Sequence, residues 1–146
     1  LMEKTKSFAT LITYLKMAVI SMAAAGVIGM LLLKSAPFLT LEQLMWMDYF
    51  GTTTLPPDAA KAFELPFLLF CWLSILSAVM LYYIVVNGLE KRERWGYDCY
   101  VLLGVFWPLG AIGIALYTEA YWYLLSAGIM TFLFFPPVIL LRKYFK

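Results

Sequence analysis

The sequence predicts an all-α membrane protein: one domain, 1–146, built as an antiparallel bundle of four transmembrane helices. A short outer cap helix lies between the first and second spans. Three observations predict it. Of the 146 residues 64% are hydrophobic and only 14% charged, against about 45–50% and about 25% in a soluble domain. A soluble globule this small still exposes a large share of its chain and could not hide so much apolar surface. Second, the stretches 17–33, 65–89, 99–118 and 120–141 contain no Asp, Glu, Lys or Arg. About 17–25 apolar residues suffice for a helix to cross the hydrocarbon layer. Lipid leaves the edges of an open sheet unpaired, and the runs lack the alternation of barrel strands.

The third observation is the ordered placement of charge. Four spans put both termini and the middle connection on one side, which holds Lys4, Lys6, Lys16, Lys91, Arg92, Arg94, Arg142, Lys143 and Lys146. The other side holds only Lys34 and Lys61, together with Glu42, Asp48, Asp58, Glu64 and Glu119. Basic residues mark the cytoplasmic face, so the expectation is a multi-pass protein of the cell membrane with both termini in the cytoplasm.

The helices are expected at about 12–33, 65–87, 98–117 and 120–141, with an outer loop at 34–64. Lys16 interrupts the first apolar run and 26–33 continues it beyond Ala23-Ala24-Ala25, so this segment reads as a retained helix rather than a cleaved signal. Within the outer loop, Thr40-Leu41-Glu42-Gln43 fits a capping box opening a short helix that Gly51 stops. Its acids do not segregate to one face, so it is expected to cap the ends of the spans rather than lie on the surface. Asp58 is placed to cap the next helix, which Pro66 either kinks or restarts.

Between the second and third spans, Asn87-Gly88 offers a helix stop before the charged turn 90–94, and Trp95 and Tyr97 follow as interfacial anchors. The third and fourth spans are separated by Thr118 and Glu119 alone, which implies a tight hairpin. Pro108 and Pro136-Pro137 fall inside these spans and are read as kinks. Cys71 and Cys99 are expected at depths too different for a disulfide.

Small residues at helical spacing mark helix contacts in lipid. Ser21, Ala25 and Gly29 form such a stripe on the first span, and Ser74 and Ala78, with Cys71, form one on the second. Gly104, Gly110 and Gly113 lighten the third span, and Ser126, Ala127 and Gly128 the fourth. All are expected to face the bundle core.

Chemistry is sparse. There is no histidine, which removes Ser-His and Cys-His dyads and most zinc and haem sites; no metal or cofactor is implied. Lys16 is the one charge near the bilayer interior, with Asp98 as its expected partner. No carboxylate is expected near the midplane, which weighs against proton-coupled export. The candidate ligand site is the outer mouth, where Glu64, Trp107, Glu119 and Tyr121 combine carboxylates with aromatic rings. An acidic rim within an aromatic belt gives the same pattern without binding anything.

These residues favour a non-catalytic subunit, scaffold or oligomerising partner within the bilayer. The alternatives are a binder or enzyme for a lipophilic molecule (lipid, sterol or quinone) in an outer-half pocket, and a small transporter. The expected partners are membrane lipids and further copies or a larger membrane complex, with no nucleic acid.

Overall fold

Where water is absent, every backbone N–H and C=O must find its partner inside the chain, and a helix does this locally. The computed structural model describes residues 2–118 and 122–145; at 2–5, 41, 63, 118, 122, 123, 126, 127 and 130 it describes the backbone alone. It contains α1 (Met2–Leu32), α2 (Ala36–Phe50), α3 (Pro57–Ile84), a π-helical turn (Val85–Leu89), α4 (Arg94–Thr118), α5 (Trp122–Leu141) and a 3₁₀ turn (Arg142–Tyr144). Among the described residues there is no strand. Three stretches, Lys6–Leu32, Pro57–Leu89 and Arg94–Tyr117, are long and apolar enough to cross a membrane.

The described chain falls into two compact units, residues up to Ile20 together with those from Met80 onward, and Ser21–Val79. In the first, Phe8, Ile12, Leu15 and Val19 of α1 are buried at spacings of one helical turn. Val85, Leu89, Tyr100, Phe134, Val138 and Leu141 are buried in the same unit, and the Tyr100 and Phe134 rings stand 6.3 Å apart. Phe8 meets Tyr144 edge-on at 5.0 Å, and Phe145 stacks on Tyr97 at 5.1 Å. These rings tie the start of α1, the start of α4 and the C-terminal turn together.

The connection from α3 to α4 differs from the expected glycine stop. Asn87-Gly88 lies inside the π turn, and Gly88 keeps a negative φ. Gly88 is needed for a close approach: a Cβ built there would stand 2.5 Å from the Gly96 Cα. Arg92 takes the left-handed conformation instead, at φ 58°. Glu90, at the end of this wide turn, accepts both hydrogen bonds from Lys16 Nζ, at 2.7 and 2.8 Å. Glu90 therefore replaces Asp98 as the partner of Lys16; Asp98 lies one turn along α4 from Arg94, 3.7 Å from its Nε.

In the second unit, α3 packs on α1 where α1 is thinnest. A Cβ on Gly26 would meet the Cys71 carbonyl at 2.9 Å and Ile75 Cγ1 at 2.8 Å, and one on Gly29 would meet Cys71 Sγ at 2.9 Å. Both cysteines are free thiols, Cys71 buried and Cys99 exposed. Helix α2 starts at Ala36, earlier than the capping-box pattern places it, with Pro37 in its first turn, where a missing N–H leaves no bond unmade. Thr40 is thus inside the helix, and its hydroxyl donates to the Ala36 carbonyl at 2.9 Å. Gly51 closes α2 in the left-handed conformation (φ 65°), its N–H bonded to the Met47 carbonyl. Phe38 of α2 lies edge-on to Phe67 of α3 at 4.6 Å. Asp58 sits in the first turn of α3, and that helix continues through Pro66 without restarting.

Candidate functional site

The second unit buries one carboxylate. Glu42, one face of α2 with Trp46 a turn further on, is only 3% exposed. Its Oε1 has no hydrogen-bond partner among the described residues. Burial pushes the Glu42 pKa up, and the Glu64 carboxylate on α3 adds to the rise. A carboxyl so placed holds a proton more readily than one in water and can then donate a hydrogen bond.

Of the four expected ligand residues, Glu64 is half-buried on α3 and close enough for its charge to act on Glu42. Trp107 is half-buried on α4, in the other unit. Glu119 and Tyr121 lie outside the described residues. Glu42 is the residue that sequence reasoning passed over, because α2 carries no clear polar face that would mark an inward acid. Among the described residues, no three of Cys, Asp and Glu gather as metal ligands would.

The small residues divide in a way their spacing does not reveal. Ser74 and Ala78 are buried, whereas Ser21 and Ala25 are exposed and Gly29 half-buried; Gly26, beside the expected stripe, is the buried contact. Ser126 and Ala127 lie among the residues described by backbone alone. Gly104 of α4 approaches Phe135 of α5, with a built Cβ at 3.9 Å. Gly110 and Gly113 of α4 and Gly128 of α5 are exposed, and among the described residues nothing lies within 4 Å of a built Cβ. Helix α4 leaves most of its apolar length exposed. Its outward glycines sit among exposed Leu109, Ile114 and Leu116.

Comparison with protein-family models, curated proteins and solved structures returns no match.

Proposed function

We propose that this protein is a four-span, non-catalytic membrane subunit that works through its helix faces, as a scaffold or oligomerising partner. Helix α5 supplies the fourth span in this reading: it has 20 residues and no Asp, Glu, Lys or Arg. The spans then form an antiparallel bundle with α2 capping its outer end. The basic termini and the turn at 90–94 lie on the cytoplasmic side, as the bias of Lys and Arg favours.

The observation that carries the proposal is the outward placement of Gly110 and Gly113. Glycine inside a helix is less stable than alanine by about 0.5–1 kcal/mol. Where Gly88 and Gly96 touch, that cost is offset by a backbone contact no larger residue permits. Among the described residues Gly110 and Gly113 have no such contact. A second helix laid against α4 supplies it, since small residues let backbones approach closely in lipid.

Native mass spectrometry of the detergent-purified protein tests this. The expected mass is that of more than one chain, or of the chain with a co-purified protein. Gly110→Leu with Gly113→Leu should reduce it to a monomer of unchanged thermal stability. A monomeric wild type, or a variant that keeps its partner, contradicts the proposal.

A second reading, a binder of a lipophilic molecule, is favoured by the unpartnered Oε1 of Glu42. A mostly apolar pocket with a few placed polar groups is how such ligands are held. A hydroxyl or amine on an otherwise apolar ligand would satisfy that oxygen.

A further inference from the structure

At the basic end of the first unit, four polar side chains from three separate segments converge. The Ser7 and Lys143 side chains adjoin the Tyr144 phenol, which also feels the charges of Lys143 and Arg92. The Arg92 guanidinium lies 4.6 Å over the Phe8 ring, and Phe8 is edge-on to Tyr144 at 5.0 Å. Lys143 Nζ stands 5.0 Å from the Tyr144 ring centre. The phenol pKa is lowered, first by the Ser7 hydrogen bond and then by Lys143 and Arg92, with burial opposing.

Two acids near the turn have other partners. Glu90 is bound by Lys16, and Asp98 neighbours Arg94. Among the described residues neither Arg92 nor Lys143 has a carboxylate within 4.0 Å. Two cations with no carboxylate paired to them among the described residues, beside two hydroxyls, suit a small anion with several acceptor oxygens. The position selects its carrier. The apolar spans begin at Lys6 and Arg94, so the cluster lies at the depth of lipid headgroups, where basic side chains meet anionic lipid.

We propose that Ser7, Arg92, Lys143 and Tyr144 form a binding site for the phosphate group of an anionic phospholipid. The shared chemistry with free phosphate is the anion itself; the lipid adds apolar chains that lie along the exposed helices. The site rests on the membrane-embedded reading and is independent of any contact at α4.

The test is native mass spectrometry of the full chain in neutral detergent, titrated with phosphatidylglycerol, with phosphatidylcholine, and with inorganic phosphate. The wild type should retain phosphatidylglycerol in preference to phosphatidylcholine. Arg92→Gln with Lys143→Gln should weaken that retention about tenfold or more, in line with the contribution of two basic residues at a charged surface. Lys91→Gln with Arg94→Gln, which removes as much charge nearby, should change it less than about twofold if the site, rather than diffuse charge, holds the lipid. Tyr144→Phe keeps the ring contacts and should weaken retention about threefold, as the loss of one hydrogen-bonding hydroxyl implies; it decides the matter if the double variant fails to fold. Equal losses in the two double variants, or no preference for phosphatidylglycerol, would overturn the site. Saturation by inorganic phosphate at lower concentrations than the lipid requires would overturn the lipid as its carrier.

Discussion

Helix α4 uses glycine in opposite ways at its two ends. Near its start, Gly96 is buried against the backbone of Gly88. Further along, Gly110 and Gly113 are exposed, and no described residue lies where a side chain would stand. The first pair lets two chain segments touch and so belongs to the fold of the unit. The second pair meets none of the described residues and lowers helix stability slightly. The same residue type thus marks an internal contact in one region and an outward face in another.

The comparison is sharpened by ranking alanine substitutions in one detergent by denaturation midpoint. Gly88→Ala should have the largest effect, a loss of about 3 kcal/mol, because the new methyl meets backbone and cannot be relieved by a rotamer change. Gly26→Ala should be intermediate, about 1 kcal/mol, since the methyl meets the Cys71 carbonyl but also the movable end of Ile75. Gly113→Ala should leave monomer stability within about 0.5 kcal/mol of wild type or raise it. A loss at Gly113 as large as at Gly88 would break the comparison.

A smaller effect concerns charge. Lys16 and Glu90 are paired through two hydrogen bonds while remaining 27% and 45% exposed; Glu42 is buried with one oxygen unpartnered. The raised pKa of Glu42 means that the folded state holds this proton more tightly than the unfolded state. Its contribution to stability is therefore full below the ordinary glutamate value of 4.5. It is lost as pH rises from there through the raised folded value. Glu42→Gln should flatten that fall and make the protein more stable than wild type at neutral pH. Midpoints measured across pH check it; a wild-type profile parallel to the variant's would contradict the assignment to Glu42.

Much of the fold was legible because it follows from where charge is absent. The apolar runs at 17–33, 65–89 and 99–118 coincide to within one residue at their ends with parts of the three stretches that can cross a membrane. Details governed by direction rather than composition were not legible. The partner of Lys16 depends on the π turn, which adds a residue to the helical turn and brings Glu90 within reach. The start of α2 depends on Pro37 in the first turn, while the Thr40–Gln43 pattern fits a helix interior as well as a cap. Glycine spacing indicates where a helix is thin, not whether the thin side faces in, as at Gly26, or out, as at Gly113. Glu42 and Glu64 read as two acids of one rim, although the first is buried and the second half-buried.

The central claim is that α4 presents its glycines to another protein. The most direct measurement attaches a photoactivatable cross-linker to single cysteines at position 113 and, for comparison, at Ile112, which is also exposed but turned about 100° around the helix. Cys71 and Cys99 are replaced, and the label is activated in native membranes. The account predicts a protein adduct from position 113 and little or none from position 112. Lipid adducts alone at both positions, or equal protein adducts from both, would contradict it.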